Sequence, residues 1–306
     1  MKVLILGSNG LVGSSLVRNF SKSKIFSEII PSTRSDLDLF NFQDVKSFIN
    51  ENQPDLIVNA AAKVGGILAN NTFRADFILN NLKINTNLLE SLIPYEKIKL
   101  INLGSSCIYP LNAKNPIKES YIMTGELEKT NSPYAMAKLT AIELGRSISH
   151  QYGHKIINLM PTNLYGPNDN FSDKDSHVIP GLMNRMHKSK IENKKEFEVW
   201  GTGKPLREFL YVDDLANAIA FIVENEINDD LINIGSNEEI SIKELVENLL
   251  KIIDFKGSIF FNTEYPDGNP RKLLDSTKIN NFGWKPKISI DEGLSKTYKW
   301  YLENIY

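Results

Sequence analysis

Cysteine is almost absent from this chain: Cys107 is the single one in 306 residues. No disulfide within the chain is possible, and an oxidising compartment is not indicated. Metal-ligand spacing is missing as well, because His150, His154, His177 and His187 do not cluster with that cysteine. There is no basic excess either. Lys+Arg number 35 against 37 Asp+Glu, a formal net charge of -2, which argues against nucleic acid as a partner. That balance leaves room for an anionic small molecule, whose binding local arginines decide. Long apolar runs are also lacking: the opening Met1-Lys2-Val3-Leu4-Ile5-Leu6 is too short for a secretory signal. No later stretch approaches the roughly 18 apolar residues of a membrane-crossing helix. The expectation is a cytoplasmic protein with no membrane partner.

What the chain does have is alternation. Short apolar runs over 3–6, 28–30, 55–59, 99–103, 156–160 and 231–234 read as strands buried on both faces. Helical patterns over 11–20, 43–50, 74–92 and 133–152 lie between them, and others follow over 178–190, 212–224 and 241–253. Strand and helix in turn predict βαβ units, hence an α/β chain with a Rossmann-like doubly wound parallel sheet. After Met160 the texture changes to a polar loop over 161–176, rich in Asn, Pro, Gly, Asp and Ser. Ser241 with Glu244 forms a capping-box pattern, and 284–306 reads as a short strand and an amphipathic helix. The expected division is a dinucleotide-binding domain over 1–160, to which 211–235 returns, and a smaller α/β substrate lobe from 161–210 and 236–306.

Gly7-Ser8-Asn9-Gly10-Leu11-Val12-Gly13 follows the first strand and opens a helix. Gly7 permits the tight turn, Gly10 admits a pyrophosphate close to the backbone, and Gly13 allows tight helix–strand packing. The helix N-terminus attracts the phosphates. The second strand ends in Ser32-Thr33-Arg34, with its first acid only at Asp36. A guanidinium at that point suits a 2′-phosphate, which favours NADP(H) over NAD(H).

Tyr134-Ala135-Met136-Ala137-Lys138 is a YxxxK near a helix start, placing phenol and ammonium on one face. The ammonium is expected to lower the phenol's pKa for proton exchange with a carbonyl. Gly104-Ser105-Ser106-Cys107-Ile108-Tyr109-Pro110 lies at a buried strand end, where open α/β sheets place ligands. Cys107 shares a face with Ser105 if extended backbone persists there. Glycine loop, strand-end serine and Tyr/Lys helix in this order resemble the extended short-chain dehydrogenase/reductase superfamily. Longer strings narrow the likeness: Ala60-Ala61-Ala62-Lys63-Val64-Gly65-Gly66-Ile67, Pro161-Thr162-Asn163-Leu164-Tyr165-Gly166-Pro167-Asn168-Asp169-Asn170-Phe171, Ser176-His177-Val178-Ile179-Pro180 and Val199-Trp200-Gly201-Thr202-Gly203. Arg207-Glu208-Phe209-Leu210-Tyr211-Val212-Asp213-Asp214 and Pro266-Asp267-Gly268 continue it. With these the chain resembles the GDP-L-fucose synthase family over essentially its whole length.

That resemblance implies an NADPH-dependent enzyme acting on GDP-4-keto-6-deoxy-D-mannose. A C4 ketone acidifies the hydrogens at C3 and C5, so both centres can epimerise before hydride reduces C4. By resemblance Cys107 and His177 are the acid/base pair. Tyr134 donates to the C4 alkoxide, Ser105 holds the same oxygen, and Lys138 binds the ribose. The cofactor set it implies is Gly7 to Gly13, Arg34, Leu103, Gly104, Ser105, Ser106, Lys138, Pro161, Thr162, Asn163, Leu164 and His177. Arg185, Trp200, Arg207, Asp267 and Lys272 are carried over as contacts to the GDP-sugar, with Arg271 an alternative to Lys272. A homodimer through the helices over 74–92 and 133–152 is also implied. One departure is Asn9, where some members carry arginine, so that Arg34 bears more of the preference for NADP.

Overall fold

In the computed structural model, which describes residues 1–173, 175–265 and 267–306, the aliphatic runs form a six-stranded sheet paired in parallel throughout. Its order is Glu28–Ser32, Lys2–Leu6, Leu56–Asn59, Lys99–Leu103, Ile156–Pro161 and Leu231–Ile234. Side chains alternate across a strand, so one run feeds two cores. Val3 and Ile5 pack under the helices Leu11–Phe20 and Val212–Glu224, with Leu16, Leu215 and Ile219. Leu4 and Leu6 pack on the other face with Val45, Ile49, Leu88 and Leu92 from the helices Phe42–Asn52 and Arg74–Leu92. The order reverses between Lys2–Leu6 and Leu56–Asn59, and the crevice beyond that reversal is where such sheets bind nucleotides.

A further core lies past Tyr165, where the helices Val178–Ile191, Ile242–Ile253 and Ile290–Asn304 meet around Met183, Met186, Leu249 and Tyr301. Ser241 caps the second of these with Glu244 in the expected capping box. Smaller sheets serve this region: Leu206–Tyr211 runs antiparallel to Glu239–Ser241 and parallel to Arg271–Lys272 and Asn163–Tyr165. Ile279 and Trp284, within 236–306, pack into the core beneath the six-stranded sheet. The strand expected beside Trp284 does not form. The backbone N–H groups of Lys287 and Ile288 donate to the Asp214 carboxylate at 2.9–3.1 Å, leaving no ladder there.

One polar row crosses the aliphatic sheet. Asn59, Asn102 and Asn158 stand opposite one another on adjacent strands, all buried. Asn59 Nδ2 donates to Asn102 Oδ1 at 2.9 Å, and Asn102 Nδ2 to Asn158 Oδ1 at 3.2 Å. Asn59 also reaches Asn85, whose amide donates to the carbonyl of Asn81, and Asn81 in turn holds both backbone groups of Lys63.

Candidate active site

The glycine loop turns sharply at Gly7, whose φ of +78° is one that side chains rarely adopt. The Gly7 and Ser8 amides donate to the Ser32 carbonyl at 3.0 Å, tying the loop to the second strand. A Cβ on Gly13 would overlap the Gly7 carbonyl, so this glycine serves the packing of helix on loop. A Cβ on Gly10 would meet little, its nearest neighbour being the Gly7 oxygen at 3.5 Å. Gly10 is also the N-cap of Leu11–Phe20 without a side-chain cap. No side chain occupies the first amides of that helix, and Gly10, Leu11 and Val12 line the cleft, as a pyrophosphate site requires.

The second strand delivers Arg34 to the same cleft with its side chain exposed. Asp36 is turned away. Its carboxylate accepts from the Thr33 amide at 2.8 Å and the Thr33 hydroxyl at 2.6 Å, and these bonds hold its pKa below the usual range. The cation therefore fronts the cleft and the first acid closes its own turn. This donor set fits a 2′-phosphate rather than a free ribose diol.

At the end of Lys99–Leu103 the backbone leaves the extended state. Ser105 caps a short 3-10 turn, Ser106–Ile108, its hydroxyl accepting from the Cys107 amide at 3.2 Å. Ser105 and Cys107 thus come together through this turn, not through continued strand alternation. Tyr134 and Lys138 project from the helix Ser132–Tyr152. The Lys138 ammonium donates to the Leu103 carbonyl at 2.7 Å and lies 5.8 Å from the Tyr134 ring centre. Burial pushes Lys138 down to about 8. Burial chiefly, then the proximity of Cys107, raises the Tyr134 phenol, against a hydrogen bond with Ser105. The expectation of a phenol lowered by its lysine is therefore corrected: desolvation outweighs an ammonium engaged elsewhere. A phenol raised in this way keeps its proton.

His177 enters from the polar loop as the N-cap of Val178–Ile191, and its half-exposed ring lines the same cleft. Its Nδ1 lies 4.0 Å from Oδ1 of the buried Asp169.

The remaining expected contacts gather at the other end. Burial lowers the Arg185 guanidinium, which stacks over Trp200 with its central carbon 5.1 Å from the indole centre. Trp200 is exposed and stacks on Tyr265 at 4.8 Å between ring centres, so it is no core residue. Burial also lowers Arg207, opposed by Glu128 and Asp267. Asp267 accepts from the Thr202 amide at 2.9 Å and its hydroxyl at 2.6 Å, clasping two loops at the cleft mouth. Arg271 is held away by Glu239 in a bidentate pair of 2.6–3.0 Å, whereas the Lys272 ammonium stands 3.8 Å from the Cys107 sulfur. Of the two neighbours, Lys272 is the one that lines the cleft.

A single cleft of about 1680 Å³ receives nearly all of these residues, including Asn9, Leu11, Val12, Leu103, Gly104, Ser106, Pro161, Thr162, Asn163 and Leu164. Ser8 and Gly13 sit behind it as scaffold. The volume exceeds the roughly 300–1,000 Å³ of one small-molecule pocket, which suits two ligands end to end. Pro266, quoted above as part of a motif, lies outside the described residues, as does Lys174 in the polar loop. Tyr265, Glu128, Asn131 and Asp169 also line the cleft and had not been singled out for the site. Asp169 stands inside a quoted motif, and Tyr265 adjoins another, but spacing alone gave neither a role.

The chain matches known proteins over most of its length. The family model described as NAD dependent epimerase/dehydratase family matches residues 3–235. GDP-L-fucose synthase 1 of Arabidopsis thaliana is 47% identical over 304 residues, covering 99% of this chain and 94% of that one. GDP-L-fucose synthase of Escherichia coli (strain K12) is 43% identical over 312 residues, covering 99% and 97%. A solved GDP-L-fucose synthetase from Naegleria fowleri bound to NADP superposes with a TM-score of 0.90 at 28% identity, covering 99% and 94%.

Proposed function

The chain belongs to the GDP-L-fucose synthases of the NAD dependent epimerase/dehydratase family, and from that premise we infer which of its residues carry each step. The reaction is the NADPH-dependent 3,5-epimerisation and 4-reduction of GDP-4-keto-6-deoxy-D-mannose to GDP-L-fucose. When bound, NADPH supplies the hydride for C4. The glycine loop and the amides at the start of Leu11–Phe20 receive the pyrophosphate, and Arg34 receives the 2′-phosphate. Lys138, already directed by the Leu103 carbonyl, is placed for the ribose. Arg185 and Arg207 meet the GDP diphosphate, with the Trp200 and Tyr265 stack beside them.

The observation that carries this reading is the meeting of Cys107 and His177 with Ser105 and Tyr134 in one cleft. Cys107 removes a proton from the carbon beside the ketone, and Ser105 holds the enolate oxygen. His177 returns a proton from the opposite ring face, which inverts the centre. Tyr134 then protonates the C4 alkoxide. The Lys272 ammonium stands 3.8 Å from the Cys107 sulfur, so the base has a cation beside it. Incubation with the keto sugar and NADPH, followed by NMR of the product, tests the whole scheme. GDP-L-fucose is expected. GDP-6-deoxy sugars with C3 and C5 unchanged would instead make the protein a C4 reductase.

Cofactor choice gives a second test. Arg34→Ala is expected to weaken NADPH by about 1.5–3 kcal/mol, as for a charged hydrogen bond, and to leave NADH almost unchanged. Equal losses in fluorescence titrations with the two cofactors would remove Arg34 from the 2′-phosphate site.

The homodimer rests on the helices Arg74–Leu92 and Ser132–Tyr152, which pack together and expose Leu79 and Met136. Sedimentation is expected to give twice the 34.6 kDa chain mass. Leu79→Glu with Met136→Glu should shift it to the monomer, and an unchanged mass would place the interface elsewhere. Among the described residues no helix is long and apolar enough to cross a membrane. A catalytic free thiol suits the reducing cytoplasm.

A further inference from the structure

The geometry points to Asp169 as the positioning residue for His177, a role that rests on the reading of His177 as one half of the epimerising pair. Asp169 sits in the polar loop just after Asn168, whose φ is +64°. Its amide donates to the Gly166 carbonyl at 3.3 Å, which fixes the turn. The carboxylate is 4% exposed. Oδ1 accepts from the Asn170 amide at 2.8 Å, and Oδ2 is buried with no partner among the described residues. A buried carboxylate oxygen without a donor is costly, so it is poised to take one.

The His177 ring lies beside this carboxylate, with Nδ1 at 4.0 Å from Oδ1, the oxygen next to the unpartnered one. Lys188, the neighbouring cation on the same helix, is already taken by Asp173 at 2.7 Å. The His177 side chain is 48% exposed, so a small rotation brings Nδ1–H onto Asp169 when substrate fills the cleft. That contact fixes the proton on Nδ1 and aims Nε2 at the sugar. In the step itself Cys107, as thiolate, takes the ring-carbon proton and becomes a thiol. Nε2–H then delivers a proton to the opposite face, leaving neutral imidazole. Asp169 stays ionised throughout, and solvent afterwards exchanges one proton with each partner.

A double-mutant cycle tests the pairing. Parent, Asp169→Asn, His177→Asn and the double variant are each given keto sugar and NADP+ in heavy water, so that no reduction follows exchange. Asparagine still accepts from the Asn170 amide, so it preserves the turn while removing the charge and turning the second oxygen into an amide donor. Asp169→Asn is expected to slow formation of the inverted C3 and C5 epimers, read by NMR of the sugar, about 10–100-fold, the usual weight of an orienting partner, with KM and NADPH affinity unchanged. The double variant should be no slower than His177→Asn alone. Inversion at the parent rate in Asp169→Asn, or losses that multiply, would overturn the pairing. Inversion at the parent rate in His177→Asn would instead overturn the reading of His177 and the pairing with it. A second measurement needs no change at Asp169: nitrogen NMR of the histidine-labelled complex should show the His177 proton on Nδ1. A proton on Nε2 in the neutral ring defeats the proposal.

Discussion

Tyr134→Phe is expected to slow reduction of the keto sugar by about 10²–10⁴-fold, the ordinary weight of a positioned general acid. The substitution removes one hydroxyl and keeps the ring, which packs edge-on against Phe77 at 6.3 Å, so the fold should persist. Burial raises the phenol, so the parent enzyme holds that proton ready for the C4 alkoxide. Cys107 and His177 are untouched by the change. NADPH oxidation in a single turnover should therefore collapse while deuterium exchange at C3 and C5 continues. Reduction near the parent rate would show that another group supplies the proton.

Cys107→Ala should produce the converse. Loss of a general base costs about 10²–10⁴-fold, which would take exchange of the C3 and C5 hydrogens to the limit of detection. The thiol is only partly buried, so its loss leaves no large cavity, and the nicotinamide end should bind NADPH as before. Slow reduction of the unepimerised ketone would then give GDP-6-deoxy sugars of the starting configuration. Mass spectrometry of the sugar after incubation in heavy water separates these products. A variant that takes up deuterium and makes GDP-L-fucose at the parent rate would reduce Cys107 to a space-filler. The two substitutions together divide one cleft into two chemistries, each silenced alone.

Five strands of the six-stranded sheet were legible because strands buried on both faces must be nearly pure aliphatic runs; the edge strand Glu28–Ser32 is only partly buried, against the expectation for 28–30. The smaller sheets were not. Leu206–Tyr211 mixes Leu, Arg, Glu, Phe and Tyr, and Glu196–Trp200 alternates acids with apolar residues in a short stretch. Both owe their state to partners far along the chain, Glu239–Ser241 and Ser258–Asn262. Proximity of Cys107 to Ser105 was foreseen for the wrong reason, since a serine-capped turn replaced the strand. Lys272 could not be separated from Arg271 by spacing. Only the distant Glu239 makes the choice, by occupying the arginine. Asp169 stayed silent for a similar cause: its meaning lies in the approach of His177 from the next helix.

The buried row of asparagines bears on how the chain avoids mispairing as it folds. Parallel pairing joins distant segments and forms slowly, leaving apolar strands time to sample wrong alignments. A slip of one residue is penalised by turning every side chain to the other face. A slip of two keeps the faces and would pass unnoticed among interchangeable Leu, Ile and Val. Asn59, Asn102 and Asn158 mark the one alignment in which all three amides find one another. Displacing a strand by two residues sets an amide against aliphatic carbon, at about 1–3 kcal/mol for each unpaired group. The three strands that carry this mark are among those whose ends build the cleft, so the row acts as a proofreading device where misalignment would do most harm.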